Sequence, residues 1–247
     1  MRPSRGWLNY RHTANALAFY NALRDRGVPE RRMRLLLADP LACNSRNARP
    51  GEINYEAGGP APAPASLAMH GDALTGQTLL HLLTGIHPPG TPAQLRLPSD
   101  ASSFVTLFLT GHGGDEFLKI HDQADFTTAD LGAALRRMHA LQRYRHLLLL
   151  VDTCQAATLC KGLQAPNVTC ISSSQSSYAH SADATLGLHV IDEFSLALGR
   201  MLRRDRAGEL TLREAAAQLA GSVRLSTVTL ESTDARTDSL LLRDFFG

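Results

Sequence analysis

The 247-residue sequence has few cysteines and no long hydrophobic run. Its four cysteines are too sparse for a disulfide scaffold, and their spacing fits no metal motif such as Cys-x-x-Cys. No stretch approaches the roughly 18 uninterrupted apolar residues that a membrane helix needs, and residues 1–5 lack the apolar core of a signal peptide. Taken literally, these absences predict a soluble, cytosolic chain in which one thiol does chemistry.

The sequence also lacks a strong excess of either charge. Its net charge is +2 at pH 7, and charged residues make up 19% of the chain. Such a surface has no electrostatic preference for nucleic acid or for a membrane, so no nucleic-acid partner is expected. The hydrophobic content of 44% and the length suffice for one large domain with a complete core. We therefore predict a single domain over residues 1–247.

Segments with helical spacing of apolar residues alternate with short apolar runs. The predicted helices are residues 9–26, 75–85, 127–140, 155–162, 190–204 and 209–220. The predicted strands are residues 32–39, 104–110, 147–152 and 168–172, with a strand-like pattern at 223–231. Residues 58–66 are too rich in proline for a regular element and are predicted to form a surface loop. The alternation predicts an α/β fold, in which helices cover both faces of a mostly parallel sheet.

Two predicted strands end close to residues that can do chemistry. His112 lies between glycines just after strand 104–110, and Cys154 follows strand 147–152. Because the carboxyl ends of neighbouring parallel strands meet at one edge of a sheet, we expect these two side chains to lie close together. Considered separately, a buried core cysteine and a structural histidine are the ordinary interpretations. Together, the two residues indicate a thiol nucleophile and its base.

The backbone around this pair is expected to assist it. The helix predicted after Cys154 would favour the thiolate through its free N–H groups. The N–H groups of Gly113 and Cys154 would stabilise the oxyanion of a tetrahedral intermediate, an interaction of about 3 kcal/mol per donor. Cys160 and Cys170 are expected to be inert, because the first lies on a different helix face and the second lies inside an apolar strand.

Four motifs occur in order along the chain: Asn-Tyr-Arg-His at 9–12, Ala-Cys-Asn at 42–44, Thr-Gly-His-Gly-Gly at 110–114 and Asp-Thr-Cys-Gln at 152–155. The series resembles the catalytic subunits of glycosylphosphatidylinositol-anchor (GPI-anchor) transamidases, a family related to the legumain and caspase peptidases. The resemblance implies a caspase-like three-layer sandwich with a sheet of about six strands. It runs nearly end to end, as far as Asp-Phe-Phe-Gly at the carboxyl terminus.

The resemblance also implies roles for individual residues. Cys154 and His112 match the catalytic pair of the family. Asn9 matches an asparagine near the catalytic histidine, and Ser177 aligns with a serine near the substrate pocket. Cys43 matches a cysteine that forms a disulfide with a partner subunit. Considered without the resemblance, Cys43 is simply a loop cysteine.

The function implied by the resemblance is transamidation through a thioester. The substrates would be precursor proteins with a carboxyl-terminal GPI signal, and the acceptor would be the ethanolamine amine of a GPI glycolipid. The partners would be the other subunits of a transamidase complex on the luminal side of the endoplasmic reticulum membrane. No cofactor is expected. No metal is expected either, because the family's calcium-associated acidic cluster is missing and the acidic residues at 115–122 have no regular ligand spacing.

Two alternatives remain open. A soluble legumain-like endopeptidase would share the same pair of residues, although such enzymes usually have an acidic residue after the catalytic cysteine, where this chain has Gln155. An inactive or truncated paralogue is the other alternative. Family members have a signal peptide and a first sheet strand before the Asn-Tyr-Arg-His motif, and this chain begins close to that motif. We therefore expect the sheet to lack its first strand, which would expose a strand edge.

Overall fold

The computed structural model describes residues 5–55, 61–62, 67–121, 124–173, 181–183, 188–224 and 226–247. Its helices are α1 (Tyr10–Asp25), α2 (Gly76–Thr84), α3 (Thr128–Ala140), α4 (Ala156–Cys160), α5 (Glu193–Arg204), α6 (Leu212–Ser222) and α7 (Leu242–Phe246). Its strands are β1 (Leu36–Leu37), β2 (Glu52–Ile53), β3 (Ala61–Pro62), β4 (Met69–His70), β5 (Phe104–Thr110), β6 (Gly113–Gly114), β7 (Phe117–Ile120), β8 (Ala124–Thr127), β9 (His146–Asp152), β10 (Val168–Ser172), β11 (Ser181–Asp183), β12 (Leu188–Ile191) and β13 (Thr229–Ser232).

The central sheet has the strand order β13-β10-β9-β5. Strands β5, β9 and β10 are parallel, and β13 joins the edge of β10 in the antiparallel direction. All seven residues of β9 are buried, as expected of a central parallel strand with helices on both faces. The predicted strands at 104–110 and 168–172 form with those bounds. The predicted α/β class with a mostly parallel sheet is confirmed.

Successive side chains of β9 point to opposite layers. Leu147, Leu149 and Val151 pack in a core with α2, α3 and α4. Leu148 and Leu150 pack in the opposite core with α1, α5, α6 and α7. This alternation follows from the two-residue period of a strand. The result is a sheet sandwiched between two layers of helices.

Threonine caps fix the starts of three helices. Thr127 accepts a hydrogen bond from the backbone N–H of Asp130, whose carboxylate accepts from the N–H of Thr127 in return. Thr75 and Thr211 make the same reciprocal arrangement at α2 and α6. Such caps typically stabilise a helix by about 1 kcal/mol. They account for the agreement between the predicted and observed starts of α2 and α3.

Several predicted elements differ from the structure. The helix predicted at 209–220 is observed at Leu212–Ser222, and the strand-like segment 223–231 is reduced to Thr229–Ser232. The strand predicted at 32–39 is reduced to Leu36–Leu37, because residues 30–32 form a 3-10 turn, and it pairs in parallel with β4. The helix predicted at 190–204 starts only at Glu193, because residues 188–191 pair with β11 as a strand. Within the predicted loop at 58–66, the described residues Ala61 and Pro62 pair with β2. Proline is tolerated in short edge pairings of this kind.

Cys160 and Cys170 form a disulfide, so the prediction of two inert thiols is wrong. Their Cα atoms lie 5.9 Å apart, and both residues are buried. The bond joins the last residue of α4 to the middle of β10. Sequence spacing did not reveal the pairing, because only the packing of α4 onto the sheet brings the two residues together.

Within the described ranges, the longest apolar helical segments are too short to cross a membrane.

Candidate active site

The candidate site lies at the carboxyl edge of the central sheet. Thr110 of β5 is paired with Asp152 of β9, so His112 and Cys154 each lie two residues beyond the same register position. The hydroxyl of Thr153 donates a hydrogen bond to the backbone carbonyl of Gly111 at 2.8 Å, which ties the two strand ends together. The sheet therefore presents His112 and Cys154 at one edge, on neighbouring strands.

Asn9 holds the ring of His112. The side-chain oxygen of Asn9 lies 2.9 Å from Nε2 of His112, while its amide nitrogen donates to the carbonyl of Arg5 at 2.9 Å. Because the amide nitrogen is engaged as a donor, the oxygen facing His112 accepts, and Nε2 carries the proton. In the neutral ring, this leaves Nδ1 as the basic nitrogen. Burial and the charge of Arg11 lower the pKa of His112 below its usual value.

His12 forms a wall beside the His112 ring. The two ring centroids lie 4.6 Å apart and their planes are nearly perpendicular, at 88°. Burial, followed by the charges of Arg11 and His112, lowers the pKa of His12 well below its usual value, so this ring is neutral. No role was predicted for His12 from the sequence. Its position three residues after Asn9, which caps α1, was the available signal.

A buried polar network lies close to the two strand ends. Arg11 forms an ion pair with Asp192, with 3.4 Å between Nε and Oδ1. The amide of Asn15 donates to Asp192 at 2.6 Å, and the backbone N–H of Asp192 donates back to Asn15 at 2.9 Å. Burial and the neighbouring Asp152 raise the pKa of Asp192 to about 8. The network joins the start of α1 to the start of α5, 177 residues apart in sequence.

Asp152 anchors the end of β9. It is buried, and it accepts a hydrogen bond from the backbone N–H of Ser195 at 3.1 Å and another from the Ser195 hydroxyl. Burial raises the pKa of the Asp152 carboxyl. These bonds fix the strand end that leads through Thr153 to Cys154. Neither Asp152 nor Ser195 was predicted to support the site.

Cys154 is a half-buried thiol, and its pKa is raised by burial. The charge of Arg11 opposes this effect, and that of Asp192 adds to it. Helix α4 follows at Ala156 and has five residues, and Gln155 between it and Cys154 adopts a left-handed backbone conformation with φ of 52°. The expectation that this helix favours the thiolate stays a prediction. The raised pKa favours the protonated thiol at neutral pH.

The backbone at Gly113 and Gly114 leaves no room for a side chain. A Cβ atom on Gly113 would lie 2.5 Å from the Thr153 hydroxyl and 2.9 Å from the carbonyl oxygen of Phe117. A Cβ atom on Gly114 would lie 2.6 Å from the Phe117 ring. These glycines form β6, which pairs with β7. The loop is thereby held tightly against the residue that precedes Cys154.

Thr158 of α4 makes a further connection to this loop. Its hydroxyl accepts from the backbone N–H of Glu116 at 2.8 Å and lies 3.2 Å from the carbonyl of Gly114. Glu116 has a positive φ of 61°, which the bond helps to hold. The helix after Cys154 and the loop after His112 therefore form one rigid unit. Thr158 was not predicted to contribute.

The remaining predicted site residues lie elsewhere. Cys43 ends a 3-10 turn on the surface and is an exposed free thiol. Ser177 lies outside the described residues. Among the residues that the structure does describe, there is no cluster of three or more histidine, cysteine, aspartate or glutamate side chains that could hold a metal.

The arrangement can support general-base catalysis of thiol attack. A neutral imidazole and a protonated thiol lie at one sheet edge, and the histidine is oriented through its other nitrogen. In such a pair, the proton leaves the sulfur as the new bond forms, so no preformed thiolate is needed.

Comparison with known proteins finds a matching family and several similar proteins. The profile of the peptidase C13 family matches residues 3–247. A GPI-anchor transamidase from Schizosaccharomyces pombe is 36% identical over 99% of this chain and 67% of its own length. A putative GPI-anchor transamidase from Caenorhabditis elegans is 36% identical over 78% of this chain and 62% of its own length. The human GPI-anchor transamidase is 33% identical over 99% of this chain and 64% of its own length. The chain thus spans about two thirds of the length of these relatives.

Proposed function

We propose a transamidase function for this chain, which belongs to the peptidase C13 family by its match over residues 3–247. The specific activity we propose is that of a GPI-anchor transamidase catalytic subunit, the name carried by relatives 32 to 36% identical over 99% of the chain. The observation that carries the proposal is the Asn9–His112 hydrogen bond beside the strand end that bears Cys154. It orients a basic nitrogen at the same sheet edge as a thiol.

The first step is acylation of the thiol. The Cys154 sulfur forms a bond to the scissile carbonyl carbon of the precursor, and its proton passes to Nδ1 of His112. The N–H groups of Gly113 and Cys154 stabilise the oxyanion. When the C–N bond breaks, His112 returns the proton to the leaving amine. The product is a thioester and a released carboxyl-terminal peptide.

The second step transfers the acyl group to an amine. The ethanolamine amine of a GPI glycolipid attacks the thioester carbonyl, and His112 accepts the proton that this amine loses. The C–S bond breaks, and His112 returns that proton to the sulfur. The acceptor is inferred from the names of the relatives. The Cys–His geometry accounts equally for water as the acceptor.

Other parts of the proposal concern the surroundings of the site. Asn9 positions His112 and remains hydrogen-bonded to Nε2 when the ring is protonated. Ser177 contributes to the substrate pocket. Cys43 forms a disulfide with another subunit of the complex, and its exposed free thiol is compatible with this role.

We place the complex at the endoplasmic reticulum membrane, with this chain on the luminal side. The buried Cys160–Cys170 disulfide supports that placement, because disulfides persist in oxidising compartments and are rare in reducing ones. Mass mapping without reduction tests this point. The expected result is one peptide pair joined through Cys160 and Cys170 in protein secreted through the endoplasmic reticulum. Complete free thiol at both positions would contradict it.

Complementation tests the activity. Cells lacking the transamidase catalytic subunit receive this chain behind a signal peptide, as wild type, Cys154→Ala or Lys161→Ala. Lys161 is an exposed neighbour of α4 outside the proposed site and serves as the matched control. We expect the wild type and Lys161→Ala to restore a GPI-anchored surface reporter, and Cys154→Ala to fail. Restoration by Cys154→Ala would overturn the proposed nucleophile.

An in vitro assay separates transamidation from hydrolysis. Membranes from the complemented cells are supplied with a precursor and hydroxylamine, a small amine that can replace the glycolipid. A transamidase is expected to yield mainly the precursor hydroxamate at hydroxylamine concentrations at which an endopeptidase, whose thioester is open to water, still yields mainly the free acid. The free acid as sole product would contradict the transamidase proposal and favour the legumain-like alternative.

A further inference from the structure

Helix α4, which follows the Cys154 loop, is held in place on several sides. All five of its residues are buried, and its last residue, Cys160, forms the disulfide to β10. The helix packs against β9, β10 and both strands of the β6–β7 hairpin. A side chain on α4 therefore has a fixed position relative to the carboxyl edge of the central sheet.

Thr158, in the middle of α4, faces the residues that follow the two proposed oxyanion donors. Its hydroxyl oxygen lies 2.8 Å from the carbonyl oxygen of Gln155, the residue after Cys154. The same oxygen lies 3.2 Å from the carbonyl oxygen of Gly114, the residue after Gly113. Because a hydroxyl has one proton, it donates to one of these carbonyls at a time. Either bond connects α4 to the backbone beside a proposed donor.

The contacts of Thr158 extend beyond its own helix. A threonine in a helix commonly donates to a carbonyl three or four residues earlier, so the bond to Gln155 alone would have a local explanation. The hydroxyl also accepts a hydrogen bond from the backbone N–H of Glu116 at 2.8 Å, and these two residues are 42 apart in sequence. Helix formation does not require this second bond. One oxygen atom thus connects the Cys154 loop to the His112 loop.

The turn between β6 and β7 depends on support from outside the hairpin. Its two central residues are Asp115 and Glu116, and Glu116 has a φ of 61°. A turn with a positive φ at its second central residue favours glycine or asparagine there. Thr158 accepts from the N–H of Glu116, and the backbone N–H of Thr128 donates to the Glu116 carbonyl at 2.9 Å. The turn that follows Gly113 is therefore held between α3 and α4.

We propose that Thr158 is a positioning residue, which fixes the relative positions of the N–H groups of Gly113 and Cys154. The inference rests on the proposed acyl transfer, in which these groups stabilise the oxyanion. Loss of the Thr158 hydroxyl frees the hairpin turn and leaves the Asn9–His112 hydrogen bond in place. Acylation, in which an oxyanion forms, should then become slower, whereas the thiol itself should keep its reactivity.

Matched variants of the full chain separate the Thr158 hydroxyl from its methyl group. Thr158→Val keeps the shape of the side chain and removes the hydroxyl, and Thr158→Ser keeps the hydroxyl and removes the methyl group. Thr84→Val is the control, because Thr84 is a buried threonine of α2 whose hydroxyl donates to the carbonyl of Leu80 in the same helix. Thr158→Ala takes the place of Thr158→Val if valine prevents folding.

The first measurement is the single-turnover rate of thioester formation against the concentration of a precursor with a carboxyl-terminal GPI signal. We expect Thr158→Val to lower the rate at saturating precursor by about 10- to 100-fold and to leave the half-saturating concentration unchanged. Thr158→Ser and Thr84→Val should keep the wild-type rate. Equal rates in Thr158→Val and Thr84→Val would overturn the proposal, and so would equal losses in Thr158→Ser and Thr158→Val.

Alkylation by iodoacetamide separates an effect on the oxyanion donors from an effect on the Cys–His pair. The reaction forms a bond to the same Cys154 sulfur and develops no oxyanion, so Thr158→Val should leave its rate unchanged. The measurement is made in Cys43→Ser protein, in which the exposed thiol is absent. A loss in alkylation as large as the loss in acylation would reject the assignment of Thr158 to the oxyanion donors.

Amide hydrogen exchange tests the contact without any enzymatic activity. In Thr158→Val, the Glu116 amide should exchange at least about tenfold faster than in the wild type or in Thr84→Val. Unchanged exchange at Glu116 would overturn the proposal whatever the activity. A wild-type chain that forms no thioester would overturn the proposed function, and with it the role of Thr158 in acylation, and this result is distinct from unchanged exchange.

Discussion

Two regions of strand β5, its carboxyl end and its outer edge, differ in whether their polar groups have hydrogen-bond partners. At its carboxyl end, the loops after β5 and β9 are joined by hydrogen bonds through Thr153 and Thr158, and Asn9 fixes His112. Along its outer edge, buried polar atoms such as the Thr106 hydroxyl have no partner among the described residues. The first region is organised by contacts within the chain. The second borders a slot of about 830 Å³ between β5 and the segment containing β1, and among the described residues no strand pairs with this edge.

The comparison teaches that the site and the slot depend on different parts of the chain. The carboxyl edge is held by contacts of α1, α4 and α5. The slot separates the central sheet from the β1–β4 pair, and α1 spans both. Changes at the carboxyl edge should therefore affect chemistry strongly, and changes in the slot should affect stability.

The largest effect is expected from Cys154→Ala. Removal of the nucleophile should reduce acyl transfer by at least about 10⁴-fold, because the residues of such a site act as a unit. The Tm should change by no more than about 2 °C, because the side chain is small and only half-buried. Activity assays and thermal unfolding of the same preparation check both points. A large loss of Tm would mean that Cys154 is a core residue.

Gly113→Ala should impair both chemistry and stability. The new Cβ atom would lie 2.5 Å from the Thr153 hydroxyl and 2.9 Å from a backbone oxygen, so the loop must move. We expect a loss of about 1 to 3 kcal/mol in unfolding free energy and about 100-fold or more in activity.

Gly221→Ala is the matched control for that substitution. Gly221 lies in α6, with nothing within 4 Å of the position of a Cβ atom. Alanine there should stabilise the protein by about 0.5 to 1 kcal/mol and leave activity unchanged. Denaturant unfolding of both variants measures the contrast. Equal behaviour of the two variants would show that the tight contact at Gly113 has no consequence.

Asn9→Ala should lower the rate by about 10- to 100-fold and leave the substrate KM nearly unchanged, because Asn9 orients His112 and does not touch the substrate in our proposal. Asn9→Asp should keep the hydrogen bond to Nε2. Its negative charge should also raise the pKa of His112, which moves the acid limb of activity to higher pH. Rate measurements against pH distinguish the two variants. An unchanged rate in Asn9→Ala would remove Asn9 from the proposed site.

The pH dependence of Cys154 should reflect a protonated thiol. Burial raises the thiol pKa above its reference of 9.0, so alkylation by iodoacetamide should increase with pH and have its midpoint above 9. Burial and Arg11 lower the His112 pKa below 6.5, so activity should fall only when the pH drops below that value and the base becomes protonated. Mass spectrometry of Cys43→Ser protein isolates the Cys154 adduct. An alkylation midpoint near 7 would indicate a preformed thiolate instead.

The smallest effect is expected in the slot. Thr106→Val removes a buried hydroxyl that has no partner among the described residues, and it should stabilise the chain by about 1 kcal/mol. Thr169→Val is the matched control, because the hydroxyl of the buried Thr169 lies 2.9 Å from that of Ser232. That change should destabilise the chain by about 1 to 3 kcal/mol. Destabilisation by both variants would mean that Thr106 already has a partner.

Long apolar runs made much of the central fold predictable. The segments at 104–110 and 168–172 are short and mostly apolar, so burial as strands was predictable, and Thr127 marks the start of α3. The short pairs were not predictable. Leu36–Leu37 is a strand only because Met69–His70 lies beside it. Residues 188–191 likewise form a strand and not the start of a helix, because they pair with β11.

The candidate site was predictable in its reactive residues and not in its support. Glycines around His112 and the strand before Cys154 drew attention to both positions, whose catalytic roles remain predictions. The raised pKa of Cys154 was missed, because it depends on burial and on the charges of Arg11 and Asp192, which only the folded chain brings close.

By itself, the sequence determined the α/β class, the central strands and the order of the motifs, because these follow from local hydrophobic periods and from residues adjacent in the chain. Only the tertiary structure decided that Arg11 meets Asp192, that Cys160 bonds Cys170, that His12 packs against His112, and that β5 faces an open slot. Each of these depends on how separate elements pack. Hydrogen bonds, burial and electrostatic effects act across space, and sequence separation does not reveal them.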